Sequence, residues 1–467
     1  MGEGVESGRM SDARHPLDAG QARALAMEGA GPVLVRGGPS SGRTALALAR
    51  VEKSVLQSSF VPERTLVLCA GPLAAACFRR RLVDAVGDVT ASVVVSDFAG
   101  LCRSLLAAAD IPARPVPDMF REGFLLDAIE VVRRRGARAA LERSPTFIAD
   151  EIAQVVKGRA LGDRRTYLDV ERGGRFRPLD VRDRETLHDV YLEYQKRLDA
   201  AGYVDAEDLP IRGMKALDGG AQPGYDLVVI DDGQFLSRAS LLLGRALAQP
   251  GDRVMLLLDE SSRPHPLGFP MREAGLEVAG RSLELVGAKR VDPALAAFVD
   301  AMHRAEEDGA PAPIADVDVI ERVAVPEFLE QFSAASRIVK QWMAAGMKAA
   351  SIAVVTRHTR DLAAAAAALR AQGIPATGAE DPERFAVREG VALLDVDDIR
   401  GLRFDGVVVV GVNDGTWPDV RSVDVADRFA DRRRLRVAAS RADVRLAIVH
   451  EAGRLSPFIP PLKPPAA

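Results

Sequence analysis

The sequence predicts an α/β protein with two parallel-sheet domains, the first of which carries an inserted helical region. Three observations support this prediction. Short apolar runs alternate with helical patterns, a glycine-rich segment joins one such run to a helix, and a long charged helical stretch interrupts the first series of runs. Continuous apolar runs of this length are typical of strands buried on both faces of a parallel sheet. The 467 residues are also too many for one ordinary core and indicate two or three domains.

Residues 15–110 and 216–302 are predicted to form the first domain, with residues 111–215 inserted as a helical subdomain. The insertion has helical periodicity and many charges, whereas the flanking parts carry five apolar runs. These runs are residues 33–35, 66–68, 93–95, 227–230 and 254–258. The arginine run 133–135 in the insertion fits a solvated helix face and a phosphate contact about equally well.

Residues 317–460 are predicted to form the second domain, after a linker at residues 303–316. An acidic run followed by alternating alanine and proline indicates the linker. The expected strands are residues 352–355, 391–394, 407–410 and 446–449. An alanine-rich helix is expected at residues 363–369. Residues 1–14 are expected to be a disordered N-terminus, and residues 461–467 a tail.

The composition is that of a soluble globular protein, with 48% apolar and 27% charged residues. No run of about 18 apolar residues occurs and the N-terminus lacks an apolar signal core, so we expect no membrane partner and a cytoplasmic location. Cys69, Cys77 and Cys102 lack the spacing of a zinc site or a disulfide framework. The net charge of −4 gives no global attraction to nucleic acid, so any such surface must be local.

Residues 37–44 have the spacing of a phosphate-binding loop between an apolar run and a helix-forming stretch. Backbone N–H groups between Gly37 and Gly42, with the helix N-terminus, would surround the phosphates, and Thr44 would hold Mg²⁺. Arg43 stands at the lysine position, and a planar guanidinium differs in reach from a compact ammonium. Only eight of the 62 basic residues are lysines, so this overall bias weakens any argument that Arg43 was selected.

The apolar run 227–230 ends in Asp231 and Asp232, far downstream of the loop. An acidic residue at the end of such a strand is the usual partner of Mg²⁺, and the next carboxylate polarises the attacking water. Aspartate is one methylene shorter than glutamate, which leaves the reach of Asp232 to a water open. A plain strand-ending turn is the alternative, and the loop upstream favours the metal role.

The order of these pieces resembles the UvrD/Rep family of superfamily 1 DNA helicases over about residues 15–460. Eight elements similar to family motifs occur in the family's order. They are residues 17–21, 37–44, 231–234, 288–291, 352–357, 399–405, 437–442 and 456–458. The resemblance implies two RecA-like P-loop domains with a helical insertion in the first, binding ATP and Mg²⁺ between them.

The resemblance also implies roles for individual residues. The cofactor-binding set is Gln21, Gly37, Gly42, Arg43 and Thr44, with Gln21 reading adenine. Thr44 and Asp231 would hold Mg²⁺ together with the nucleotide. The catalytic set is Asp231, Asp232, Gln234, Arg290 and Arg441, with Arg290 on the γ-phosphate and Arg441 as the arginine finger.

Departures from the family pattern fall on the hydrolysis and DNA-coupling motifs. Arg43 and Asp232 replace lysine and glutamate, Lys289 replaces the adenine-stacking tyrosine, and Arg403 replaces the ribose-contacting glutamate. A base-stacking aromatic is missing from residues 69–75, and each such platform is worth about 1–3 kcal/mol per base. The interval from residue 357 to 401 is too short for the family's large helical insertion in the second domain.

Three functions are compatible with this pattern. The favoured one is a helicase homologue that binds ATP, with single-stranded DNA as a candidate second ligand and with hydrolysis and DNA coupling impaired. The second is an active ATP-dependent 3′–5′ single-stranded DNA translocase or helicase in DNA repair or recombination. The third is a non-catalytic interaction subunit that binds a protein partner in DNA repair or replication.

Overall fold

The computed structural model describes residues 17–463, except 28, 30, 57–60, 137–138, 173–177, 221–223, 250–252, 264–267, 288–289, 309–310 and 423–424. The predictions for residues 1–14, for Lys289 and for the last residues of the tail lie outside the described residues. Within the described part, no helix is both long enough and apolar enough to cross a membrane.

Two six-stranded sheets, each with its strands paired in parallel, organise the described chain. The first sheet contains β1 Val33–Gly37, β2 Thr65–Cys69, β3 Val94–Asp97, β4 Leu227–Ile230, β5 Val254–Leu258 and β6 Ser282–Leu285. The second contains β7 Ile320–Val325, β8 Ile352–Thr356, β9 Ala376–Thr377, β10 Val391–Asp395, β11 Phe404–Val410 and β12 Ala442–Glu451. The predicted α/β class with two RecA-like parallel sheets is confirmed.

The strand order is β3-β2-β4-β5-β1-β6 in the first sheet and β7-β12-β11-β8-β10-β9 in the second. The central strands β4 and β5 are apolar and buried at every position, as both faces are covered. Because β4, β5 and β1 are parallel neighbours, their carboxyl ends meet at one edge of the sheet. Asp231, Asp259 and the glycine-rich loop follow those three strands and therefore lie together.

Helices cover the sheets and build the insertion. Those before β4 are α1 Ala19–Ala26, α2 Arg43–Leu56, α3 Pro72–Val86, α4 Phe98–Ala108, α5 Asp118–Arg134, α6 Pro145–Asp150, α7 Arg164–Asp169, α8 Val181–Ala200 and α9 Asp208–Asp218. Those after β4 are α10 Arg238–Ala246, α11 Pro293–Asp308, α12 Glu330–Ala344, α13 Leu362–Ala371, α14 Pro382–Ala386 and α15 Val425–Ala439.

The predicted linker at residues 303–316 begins inside a helix, which corrects that part of the domain prediction. Helix α11 continues to Asp308, and Phe298 and Met302 on it are buried in the core. The helix packs against α15 and β12 of the second sheet. The acidic residues 306–308 belong to this helix. The prolines at 311 and 313 are the residues of the segment that a helix does not tolerate.

The insertion has its own apolar core between α5 and α8, together with two buried ionic clusters. In one cluster, Lys157 Nζ lies 2.6 Å from Asp205 Oδ2 and 3.0 Å from Asp208 Oδ1. In the other, Arg172 donates two hydrogen bonds of 2.7 Å to the buried Glu151 carboxylate. The arginines of the run 133–135 are exposed and pair with glutamates, which fits the solvated-face interpretation.

The second domain contacts the first through α14, which packs against α3. Arg79 of α3 forms an ion pair with Glu383 of α14 and donates a hydrogen bond to Val95 O. Between residues 357 and 401 the chain forms only a short 3₁₀ turn, α13, β9, α14 and β10, which complete the second sheet. The predicted absence of a large helical insertion in this domain is thus confirmed.

Gly406 in β11 lies against the core of the second domain. A methyl group added there would sit 2.7 Å from the Trp342 ring and 2.8 Å from Met347 Sδ. Replacing Gly406 by alanine is expected to lower the free energy of unfolding by about 1–3 kcal/mol, the usual cost of an overpacked core. Urea denaturation measures the change.

The matched control is Gly123→Ala in the exposed interior of α5, where nothing lies within 4 Å of the added methyl group. Removing a helix glycine there should be neutral or stabilising by up to about 1 kcal/mol. Equal destabilisation by the two substitutions would contradict the steric explanation.

Candidate nucleotide site

The glycine-rich loop turns sharply between β1 and the N-terminus of α2. Gly42 has a φ of +88°, a conformation that favours glycine, and its carbonyl accepts the first hydrogen bond of α2 from Leu46 N at 3.0 Å. A methyl group on Gly37 would lie 2.5 Å from Ser41 Oγ. Both predicted glycines therefore have a steric or conformational reason to be glycine, and the loop sits at a helix N-terminus as anion-binding loops do.

Thr44 and Asp231, the predicted Mg²⁺ pair, are in direct contact. Thr44 Oγ1 donates a hydrogen bond of 2.7 Å to Asp231 Oδ2. Burial, and then the neighbouring Asp232, raise the pKa of Asp231 to about 7. A bound cation would stabilise the ionised form of a carboxylate that is buried beside a second carboxylate. A hydroxyl and a carboxylate together are oxygen ligands of the kind that Mg²⁺ prefers.

Arg43 folds back into the loop and is 7% exposed. Its Nη1 donates to Gly37 O and, at 2.6 Å, to Gly38 O. Its Nη2 lies 3.2 Å from Asp232 Oδ1 and 3.7 Å from Asp259 Oδ2. The guanidinium thus joins the loop to the carboxylates at the ends of β4 and β5.

Asp232 is buried and has one carboxylate oxygen already engaged. Its Oδ1 accepts hydrogen bonds from Arg43 Nη2 at 3.2 Å and from Gln234 Nε2 at 2.8 Å. Its Oδ2 lies 3.3 Å from the position that a methyl group on Gly401 would take. A loop of the second domain therefore closes directly over this carboxylate.

Asp259 is a member of the site that was assigned no role from the sequence. Gln234 Oε1 accepts from Asp259 N at 2.9 Å, and Ser262 Oγ donates to Asp259 Oδ2 at 2.5 Å. Burial acts to raise the pKa of Asp259, but Arg43 and the nearby serine hydroxyls outweigh it and hold the pKa below its usual value. The signal was an apolar strand ending in aspartate, the same pattern that pointed to Asp231.

Arg441 reaches the same cleft from the second domain. It is fully buried, and its guanidinium donates to Val437 O and Ser440 Oγ. Burial, and then the like charge of Arg403, lower its pKa to about 10, against the opposing effect of Asp232 and Asp259. The carboxylates of the first domain are therefore within its electrostatic reach.

Arg290 is exposed, unlike the other predicted catalytic residues. It precedes Asp292, whose N–H donates to Asp443 O at 2.8 Å. Asp443 also pairs with Arg403, and its Oδ1 lies 3.5 Å from Ser40 Oγ of the loop. Arg290 is thus placed near the junction of the domains, but no described contact joins it to the carboxylates.

Gln21 lies beside the loop and is 3% exposed. Its Oε1 accepts from Asp18 N at 3.0 Å, and its Nε2 donates to Gly42 O at 2.9 Å. The structure therefore brings together Gln21, Gly37, Gly42, Arg43, Thr44, Asp231, Asp232, Gln234 and Arg441.

The described residues fit a magnesium nucleotide through phosphate contacts. Arg43 Nε is a buried donor without a hydrogen-bond partner among the described residues, as an anion-binding group would be. The described chain has no cluster of three or more histidine, cysteine or acidic residues able to hold a metal alone. Mg²⁺ at Thr44 and Asp231 would need oxygen ligands from a bound phosphate or water.

Comparison with known proteins identifies the family of the chain. The family model for the UvrD/REP helicase N-terminal domain matches residues 17–261, more than half of the chain. One solved structure, the C-terminal domain of a possible DNA helicase from Lactobacillus plantarum, is 21% identical, covers 37% of this chain and 92% of its own, and has a TM-score of 0.29. At that TM-score the likeness does not bear on function. No curated protein matches the chain. On the family match over residues 17–261, the chain belongs to the UvrD/REP helicase family.

Proposed function

We propose that this chain is a helicase homologue that binds ATP with Mg²⁺ between its two RecA-like domains and hydrolyses it poorly. The observation that supports this most strongly is the ion pair between Arg43 and Asp232, at 3.2 Å and buried. It joins the two positions that depart from the family's hydrolysis motifs. Because the two side chains are bonded to each other, the effect of either substitution on hydrolysis depends on the other.

A carboxylate that polarises water needs a free oxygen directed at the nucleophile. Oδ1 of Asp232 is held by Arg43 and Gln234, and its short side chain keeps Oδ2 beside Gly401. Nη1 of Arg43 in turn donates to loop carbonyls and Nη2 to Asp232, so only Nε is left for a phosphate in this conformation. Such reactions are accelerated chiefly by charges preorganised around the transition state, and this site lacks them at the two altered positions.

The remaining residues are suited to binding. Thr44 and Asp231 would hold Mg²⁺, which neutralises phosphate charge when bound. The loop N–H groups would surround the phosphates, and Arg441 would meet them from the second domain. Nucleotide would therefore bring the domains together without rapid turnover.

Weak coupling to single-stranded DNA is proposed on similar grounds. Residues 69–75, where the resemblance puts a base-stacking aromatic, end β2 and start α3 without one. Asp97 caps α4 by accepting from Gly100 N at 3.0 Å, and the adjacent Phe98 is buried in the core. Acidic Asp395 and Asp397 stand near the end of β10, where they would repel phosphate.

The test is phosphate release from ATP by the purified chain, with and without single-stranded DNA, alongside equilibrium binding of a labelled ATP analogue. We expect saturable, Mg²⁺-dependent binding and no DNA-stimulated turnover. Clear DNA-stimulated turnover that is lost in Arg43→Ala would establish the active translocase instead. Absence of any nucleotide binding would leave the non-catalytic interaction subunit as the better account.

A further inference from the structure

We infer that Arg436 is a positioning residue, which holds α15 against the first domain and so places Arg441 at the terminal phosphate of a bound nucleoside triphosphate. The inference rests on the proposed nucleotide binding and goes beyond it, because Arg436 belongs to neither the predicted cofactor-binding set nor the catalytic set. A continuous series of contacts supports it, from α15 through Ser261 to Asp259 at the end of β5.

Two arginines on one face of α15 contact the turn that follows β5. Arg436 is 1% exposed, and its Nη1 lies 3.5 Å from Ser261 Oγ. Arg433, three residues earlier and therefore on the same face, donates a hydrogen bond of 2.8 Å to Arg263 O. The Arg433 guanidinium also lies over the Phe429 ring, 4.3 Å from its centroid, which orients the side chain. The second domain thus contacts this turn at two points.

The contacted turn is itself fixed within the first domain. Ser261 Oγ donates to Asp259 Oδ1 at 2.5 Å, and Asp259 N donates to Gln234 Oε1 at 2.9 Å. At the other end of the turn, Arg263 Nη1 donates to Leu236 O at 3.1 Å. Both ends are therefore bonded to the segment that follows β4. A helix that rests on this turn takes its position from the carboxyl edge of the first sheet.

Arg441 depends on the position of α15 because it lies two residues beyond the end of that helix. Its guanidinium donates to Val437 O in the last turn of the helix and to Ser440 Oγ just after it. Among the described residues, the side-chain hydrogen bonds of Arg441 thus stay at its own helix end. The distance from Arg441 to the phosphate loop is therefore set by how α15 lies on the first domain.

The terminal phosphate is the part of the ligand that this distance affects. Arg441 lies within electrostatic reach of Asp232 and Asp259, at the ends of β4 and β5. The loop N–H groups and Thr44 would hold the inner phosphates and Mg²⁺ from the side of α2, so Arg441 would meet the terminal phosphate. A hydrogen bond between charged groups depends closely on geometry, so a shift of α15 would weaken this contact. A diphosphate, which lacks that group, would bind as before.

The experiment measures the dissociation constants of ADP and of the β,γ-imido analogue of ATP, each with Mg²⁺, by titration calorimetry. Arg436→Met removes the guanidinium and keeps much of the buried volume, and Ser261→Ala removes its partner. We expect each to weaken the triphosphate analogue about tenfold and ADP by less than about twofold, as Arg441→Ala should. Arg428→Met, at an exposed position of the same helix, is the matched control and should change neither constant.

A double-mutant cycle separates positioning from a general loss of structure. The double variant of Arg436→Met and Arg441→Ala should bind the triphosphate analogue no more weakly than Arg441→Ala alone, because Arg436 acts through Arg441. Additive losses, equal losses for the two ligands, or no loss would overturn the inference and leave nucleotide binding standing. Failure of the unaltered chain to bind either ligand would overturn the proposed function itself. Melting temperatures without ligand identify a variant that fails to fold; if Arg436→Met does so, Ser261→Ala decides.

Discussion

Replacing Arg43 by lysine and Asp232 by glutamate together is expected to raise ATP hydrolysis about a hundredfold over the unaltered chain, with or without DNA. Lysine would present a compact charge to the phosphates, and glutamate would extend one methylene further toward the attacking water. Restoring a single preorganised charge contact is worth about 10²–10³ in turnover in comparable sites. The rate of phosphate release at saturating ATP measures the effect.

The single substitutions should give much less than the pair. In Arg43→Lys, the side chain of Asp232 is still one methylene too short and still accepts a hydrogen bond from Gln234. In Asp232→Glu, the carboxylate still faces the Arg43 guanidinium. Contacting residues of this kind are not additive, so a double-mutant cycle isolates their coupling. Arg36→Lys is the matched control, since Arg36 lies on β1 just before the loop, is partly exposed and pairs with Glu260. If the two substitutions have additive effects on the rate, or if the double variant is no faster than the unaltered chain, Arg43 and Asp232 are not coupled in this way.

Replacing Lys157 by methionine is expected to destabilise the insertion by about 3–5 kcal/mol at pH 8. Lys157 is 1% exposed and lies between Asp205 and Asp208, and removing one partner of a buried ionic cluster leaves uncompensated charge. Methionine keeps the volume, so the effect reports charge. The urea midpoint measured by far-UV circular dichroism follows the change.

The penalty should shrink as the pH falls. Burial, and then Asp205, already raise the pKa of Asp208 to about 6 with Lys157 present, and losing the ammonium raises it further. A carboxyl with a raised folded-state pKa contributes stability at low pH that is lost as pH rises through that pKa. The variant should thus approach the unaltered chain at pH 5 and differ most at pH 8. Lys215→Met, an exposed lysine on α9, should be neutral at both pH values; a pH-independent loss would point to packing instead.

The sequence was sufficient for the interior strands and the loop, because their signals are local. Strands β4 and β5 are continuous apolar runs, and the loop has fixed spacing. Strands β6, β7 and β9 were not predicted. All three lie at sheet edges, where one side of the strand has no neighbour and the apolar run breaks up or shortens.

The partners of Arg43 could not be predicted from the sequence. Arg43 meets Asp232 and Asp259, which are separated from it by some 190 and 216 positions and are brought close only by the order β4-β5-β1. Spacing in the sequence carries no record of that order. The hydrogen bond from Gln21 to Gly42 could not be predicted for the same reason, since Gly42 belongs to a different part of the chain.

If the chain binds single-stranded DNA along α3, the packing of α14 on α3 would compete with that ligand. A single strand of DNA lying along α3 would have to displace α14. That displacement would separate Arg79 from Glu383 and Cys77 from Arg388. The Arg79–Glu383 pair is partly exposed, so salt weakens it, as salt weakens every phosphate contact. Rising ionic strength would therefore weaken both the packing of α14 on α3 and the binding of DNA. The affinity for DNA would then fall less steeply with salt than its phosphate contacts alone would dictate.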